Sequence, residues 1–139
     1  MNDSSQNIPL EIMSLISMSG DESREITFFS EVIGFAERIN LTDAQVYNAI
    51  GMNRSLWYRM RDNPDARTKK SNVLKLAIVL RLSFWEAFYL IALAGYSFVP
   101  GIDKTDETIA RCLMSEEYAP DKIDEMLDEN GCDTLFAEE

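Results

Sequence analysis

From about residue 24 to residue 130, apolar side chains recur at intervals of three and four, the repeat of a buried helix face, and strand-like alternation is almost absent. The repeat is broken by residues that start and stop helices. Thr42 with Gln45 three positions on, and Ser83 with Glu86, are capping boxes; Asn53 is a third N-cap. Gly51, Gly95 and Gly131 stand where helices must end in a left-handed residue. The chain is therefore expected to be all-α. Five helices are placed between residues 24 and 95: 24–39, 43–50, 54–61, one capped by Ser71 and running to Leu82, and one from Ser83 to Gly95. A short helix from Pro9 to Met18 precedes them. Two acidic helices follow, capped by Thr105 and Asp121. Residues 1–23 are read as a partly disordered N-terminal segment, 24–98 as the principal domain, and 103–139 as an acidic helical extension.

Composition removes most chemistries. The 139 residues include no histidine, which excludes His-based triads, His acid–base catalysis and most zinc sites. Cys112 and Cys132 lie twenty residues apart with no partner ligands, so reduced, half-buried thiols are expected rather than a metal site. Adjacent carboxylates such as Glu116/Glu117 and Asp128/Glu129 belong to a solvated face and make no acid–base pair. No catalytic, cofactor or metal residue is assigned, and no enzyme is expected. The N-terminus lacks a basic stretch and carries Glu11 within its apolar part, and no apolar run is long enough to span a bilayer. The expectation is a cytoplasmic protein with no membrane contact.

The formal charge of −11 argues against a protein coated in nucleic acid, but it is unevenly spread. Residues 51–82 hold eight basic and two acidic residues, net +6, whereas residues 103–139 hold three basic and thirteen acidic, net −10. Six of the eight cations, Arg54, Arg59, Arg61, Arg67, Lys69 and Lys70, lie on one short helix and the loop after it. Composition alone leaves two readings of that island: a solvated face paired with the acidic flanks, or a phosphate-binding surface.

The segment from Leu41 to Met60 reads helix, glycine turn, helix, with Val46 and Ile50 spaced to meet Trp57 and Met60. Leu41, Thr42, Val46, Tyr47, Gly51, Arg54, Ser55, Leu56, Trp57, Arg59, Met60 and Arg61, followed by a basic loop and Ala94-Gly95-Tyr96, resemble the lambda-repressor-like (Cro/Xre) helix-turn-helix family over about residues 26–95. The resemblance implies a five-helix domain whose second motif helix enters the DNA major groove. Carried over by position, Arg54, Ser55 and Arg59 face bases with Tyr58 beside them, while Arg61, Arg67, Lys69 and Lys70 reach phosphates. Leu41, Val46, Ile50, Leu56, Trp57, Met60, Leu74, Ala77, Ile78, Phe84, Phe88 and Ile91 are expected in the core. Asp43 stands where many members carry a phosphate-clamping glutamine, and Tyr47 where the better-known repressors have a small residue.

Two functional classes follow. The first is a DNA-binding transcriptional regulator acting as a homodimer on double-stranded DNA. The second is a protein-binding module on the same scaffold, such as a phage-encoded inhibitor (an anti-CRISPR, for example) or an adaptor, using residues 103–139. Phe84, Trp85, Phe88, Tyr89, Tyr96 and Phe98 read as core or dimer interface before ligand pocket, with Trp85 and Tyr89 the better interface candidates. In the extension, Ile109, Cys112, Leu113, Ile123, Met126, Leu127, Leu135 and Phe136 repeat helically and are expected to pack.

Overall fold

The computed structural model describes residues 25–137, which form seven α-helices and, among the described residues, no strand. In chain order these are α1 (Phe28–Arg38), α2 (Asp43–Ala49), α3 (Arg54–Asp62), α4 (Lys70–Val79), α5 (Phe84–Leu93), α6 (Lys104–Met114) and α7 (Pro120–Glu129). The helix from Pro9 to Met18 and the expectation for residues 1–23 lie outside the described residues.

Helix starts follow side-chain chemistry. The boxes Thr42/Gln45 and Ser83/Glu86 are both formed, as is the Asn53 cap, whose side chain accepts from the Leu56 N–H at 2.9 Å. Four starts differ from expectation. Thr27 caps α1 in a reciprocal pair with Ser30. Lys69, not Ser71, precedes α4, and no side chain caps that helix. Asp103, not Thr105, caps α6 through the Asp106 N–H, and α7 begins with Pro120 in its first turn instead of at an Asp121 cap.

Helix ends share one device. In all but α3, the residue after the C-cap is left-handed, and the next N–H returns to a carbonyl five residues back: Met52 to Tyr47, Tyr96 to Ile91 and Cys132 to Leu127 at the glycine turns. Asn40, Arg81 and Glu116 take the same conformation at φ 60°, 54° and 56°, with Leu41 to Ala36, Leu82 to Ala77 and Glu117 to Cys112. A left-handed Arg81 is why α4 stops at Val79 rather than running to Leu82. Helix α3 is the exception: Asn63 leaves it extended, ahead of Pro64.

Helix α1 lies against α2, α3 and α5; α4 pairs with α5 and touches α2; α6 packs on α5, and α7 on α6. One apolar cluster runs from Phe29 to Leu127 and includes Val46, Ile50, Trp57, Leu76, Ile91, Ile109 and Ile123. The extension thus contributes to the same core as the helices before it, and Met126, Leu135 and Phe136 pack at its margin. Asp124 ties the chain's last described turn to α7 by accepting from the Leu135, Phe136 and Ala137 N–H groups.

Two residues expected in the core are not there. Leu56 is 42% exposed and Phe88 40% exposed, because the inward arcs of α3 and α5 are taken by Trp57 and Met60 and by Ala87, Leu90 and Ile91. Leu41 and Phe84 are half-buried at the core's edge. Tyr89 donates its hydroxyl to Glu31 at 2.6 Å; it and Trp85 are both half-buried, Trp85 beside exposed Phe88.

Candidate nucleic-acid interface

The turn between α2 and α3 is closed at both ends. Gly51 holds φ +69°, and the Lys75 ammonium donates to the Ile50 carbonyl at 3.2 Å. Across this turn Val46, Ile50, Met52, Trp57 and Met60 are buried together. Trp57 anchors the arrangement. Its ring meets Phe29 edge-on with centroids 5.0 Å apart, and its indole N–H donates to Asp43 Oδ2 at 3.1 Å. Asp43 thus plays a structural part by satisfying a buried donor.

With Trp57 and Met60 inward, α3 turns Arg54, Ser55 and Arg59 to solvent, all three exposed. Tyr58, half-buried, lies between two arginines: the Arg54 and Arg61 guanidinium carbons stand 5.6 and 4.5 Å from its ring centroid. Tyr47 packs on both sides of this arrangement, its ring 6.0 Å from Trp57 and 6.5 Å from Tyr58. The large Tyr47 side chain is therefore absorbed into a cluster of rings.

Arg61 is not free. Its Nε donates to Asp62 Oδ1 at 2.8 Å, a bond that raises the arginine's pKa and lowers the aspartate's. The loop cations divide. Lys69 is exposed. Arg67 lies in a groove of about 600 Å³ between the start of α1, residues 64–68 and the end of α5, its guanidinium against Gly95. The same loop is tied down where Tyr96 donates to the Thr68 carbonyl at 2.7 Å. Lys70, its side chain 29% exposed, holds its ammonium 2.9 Å from Asp106 Oδ2 of the extension. A phosphate at Lys70 would therefore have to compete with this ion pair. Among the described residues, Arg54, Arg59, Arg67 and Lys69 make no ion pair with a carboxylate.

Asp106 is the residue that sequence reasoning missed most clearly, lost in a run of surface acids. No local spacing marked it, because its side-chain partners, Lys70 and the Val99 N–H, lie outside α6. Cys112 is fully buried rather than half-buried, and burial pushes its thiol pKa up; Cys132 is half-buried, and both thiols are free. Among the described residues no group of His, Cys, Asp or Glu could hold a metal, and no helix is long and apolar enough to cross a membrane.

Comparison with known proteins brings no family model, curated protein or solved structure that matches this chain.

Proposed function

We propose that α2, the Gly51 turn and α3 form a helix-turn-helix within a five-helix, lambda-repressor-like domain, and that the protein is a non-enzymatic DNA-binding regulator. One observation carries this reading: α3 is anchored by fully buried Trp57 while Arg54, Ser55 and Arg59 stand exposed on its outer face, unpaired with any carboxylate among the described residues. A rigid helix with arginines projecting from it matches what major-groove readout needs, since an arginine fork can grip guanine O6 and N7. Lys69 and Arg67 flank it as phosphate contacts. The acidic residues gathered on α6 and α7 disfavour non-specific adhesion and orient the positive face toward a duplex. Two copies on a two-fold axis would read half-sites about 34 Å apart.

The test is fluorescence anisotropy with duplexes selected from random sequence, across a salt series. Arg54→Ala and Arg59→Ala should each weaken specific binding about 5- to 150-fold, and affinity should fall steeply with salt. Failure of the wild-type protein to select any duplex refutes the reading.

A second reading, a protein-binding module using residues 103–139, is favoured by Ile102 and Met114. They are 86% and 74% exposed beside the acidic helices. A partner that co-purifies with the wild type and is lost on charge reversal of Asp121, Glu125 and Asp128 would support it; retention of that partner would refute it.

A further inference from the structure

Tyr58 has more arranged around it than a residue beside a DNA contact requires. On α3 it is one turn after Arg54 and three residues before Arg61, so the three side chains share one flank of the helix. Both guanidiniums lie within cation–π reach of the single ring, at 5.6 and 4.5 Å. The ring itself is backed by others. Tyr47 meets it at an interplanar angle of 71°, Trp57 backs Tyr47, and Phe29 backs Trp57 in the core. Asp43 fixes the Trp57 ring through its N–H. A chain of four rings therefore runs from the buried core to the two arginines, and Tyr58 is its outer member.

We propose that Tyr58 is a positioning residue for DNA recognition, and that its ring, not its hydroxyl, prepares Arg54 and Arg61 for the duplex. The proposal rests on the helix-turn-helix reading. The physical reason is ordering. A free arginine loses much rotamer freedom when it docks, and one already stacked on a fixed aromatic face loses less. The ring also accounts for Arg61, whose charge Asp62 shares. Tyr58 holds that guanidinium on the helix flank next to Arg54, so a phosphate there can displace Asp62 without the arginine having to be found and oriented.

The experiment is a variant series on a duplex selected by the wild-type protein, with each variant's melting transition recorded beside its affinity. Tyr58→Phe keeps the ring and should bind within about twofold of wild type. Tyr58→Leu should weaken binding about fivefold or more while leaving the slope of affinity against salt almost unchanged, because no charge is lost. In an Arg54→Ala background the Tyr58→Leu penalty should shrink, since part of its target is gone. In the free protein, the ring-current shifts of the Arg54 and Arg61 side-chain protons should persist in Tyr58→Phe and vanish in Tyr58→Leu. The proposal is overturned if Tyr58→Leu binds like wild type, if Tyr58→Phe is as weak as Tyr58→Leu, or if the leucine penalty is undiminished without Arg54. Those failures leave the DNA reading intact where Arg54→Ala still weakens binding; a wild type that selects no duplex removes both.

Discussion

Lys70 and Asp106 join the basic segment to the acidic extension, and the environments of the two partners are unequal. The Asp106 side chain has no solvent exposure; the Lys70 side chain keeps 29%. Asp106 Oδ2 accepts from the Lys70 ammonium at 2.9 Å and from the Val99 N–H at 3.0 Å, while Oδ1 is buried with no partner. Lys70→Met would leave a buried carboxylate with the Val99 amide as donor and no countercharge, a loss of about 3–5 kcal/mol. Asp106→Asn keeps an acceptor for Val99 and frees a lysine that can swing into solvent, so it should cost about 1–2 kcal/mol. With a urea slope of about 2 kcal/mol/M, the midpoints fall by about 1.5–2.5 M and 0.5–1 M respectively. Urea titration followed by tryptophan fluorescence and circular dichroism measures both. The Lys70→Met/Asp106→Asn pair should be more stable than Lys70→Met alone, because the stranded charge is gone. An Asp106→Asn loss equal to or greater than that of Lys70→Met, or a double variant weaker than Lys70→Met, would refute the asymmetry. Since Lys70 serves the core, Lys70→Met should also leave DNA affinity near wild type under conditions where Lys69→Ala reduces it.

Acid should act through Glu86. Burial pushes its carboxyl up, but the forked bond from Arg38 and the hydrogen bonds within the Ser83 capping box outweigh burial and hold it below the usual carboxylate range. The folded state therefore binds fewer protons there than the unfolded chain. Its contribution is fully present above about pH 5 and disappears as pH falls through the depressed folded value; Glu86→Gln should flatten the fall in urea midpoint between pH 5 and 3. Gly95 holds φ +89°, and a Cβ there would stand 3.0 Å from Arg67 Nη1, whereas one on Gly51 would meet nothing within 4 Å. Gly95→Ala and Gly51→Ala should each lower the melting temperature, both incurring backbone strain of about 1–3 kcal/mol; the exposed Arg67 tip can give way to the Cβ at residue 95. Alkylation of the native protein should label Cys132 and spare buried Cys112, with both reacting in denaturant; equal native rates would contradict the packing of α6.

Much of the fold was legible because helix starts and stops are local. Thr42 finds Gln45, Ser83 finds Glu86, and Asn53 finds the Leu56 amide within three residues, with no help from the rest of the chain. Gly51, Gly95 and Gly131 announce left-handed turns because glycine adopts them without steric cost. Asn40, Arg81 and Glu116 make the same turns unannounced. Asn tolerates that conformation better than most residues; at Arg81 and Glu116 the hydrogen bonds of the helix end, together with burial of Leu82 after Arg81, prevail over intrinsic preference.

The candidate site divides in the same way. Helical spacing by itself determined that Trp57 and Met60 share a face opposite Ser55 and that the cations concentrate between residues 51 and 82. Only the tertiary structure decided which of those cations stay available. Lys70 was claimed by an aspartate thirty-six residues away and Lys75 by the carbonyl of Ile50, while Arg67 stayed exposed beside Gly95. It likewise left Leu56 and Phe88 uncovered, although their spacing resembles that of core positions. Backbone hydrogen bonds and caps act over three to five residues and are written into the order of the chain. Ion pairing and burial depend on which distant surfaces meet, and those distances exist only once the helices have packed.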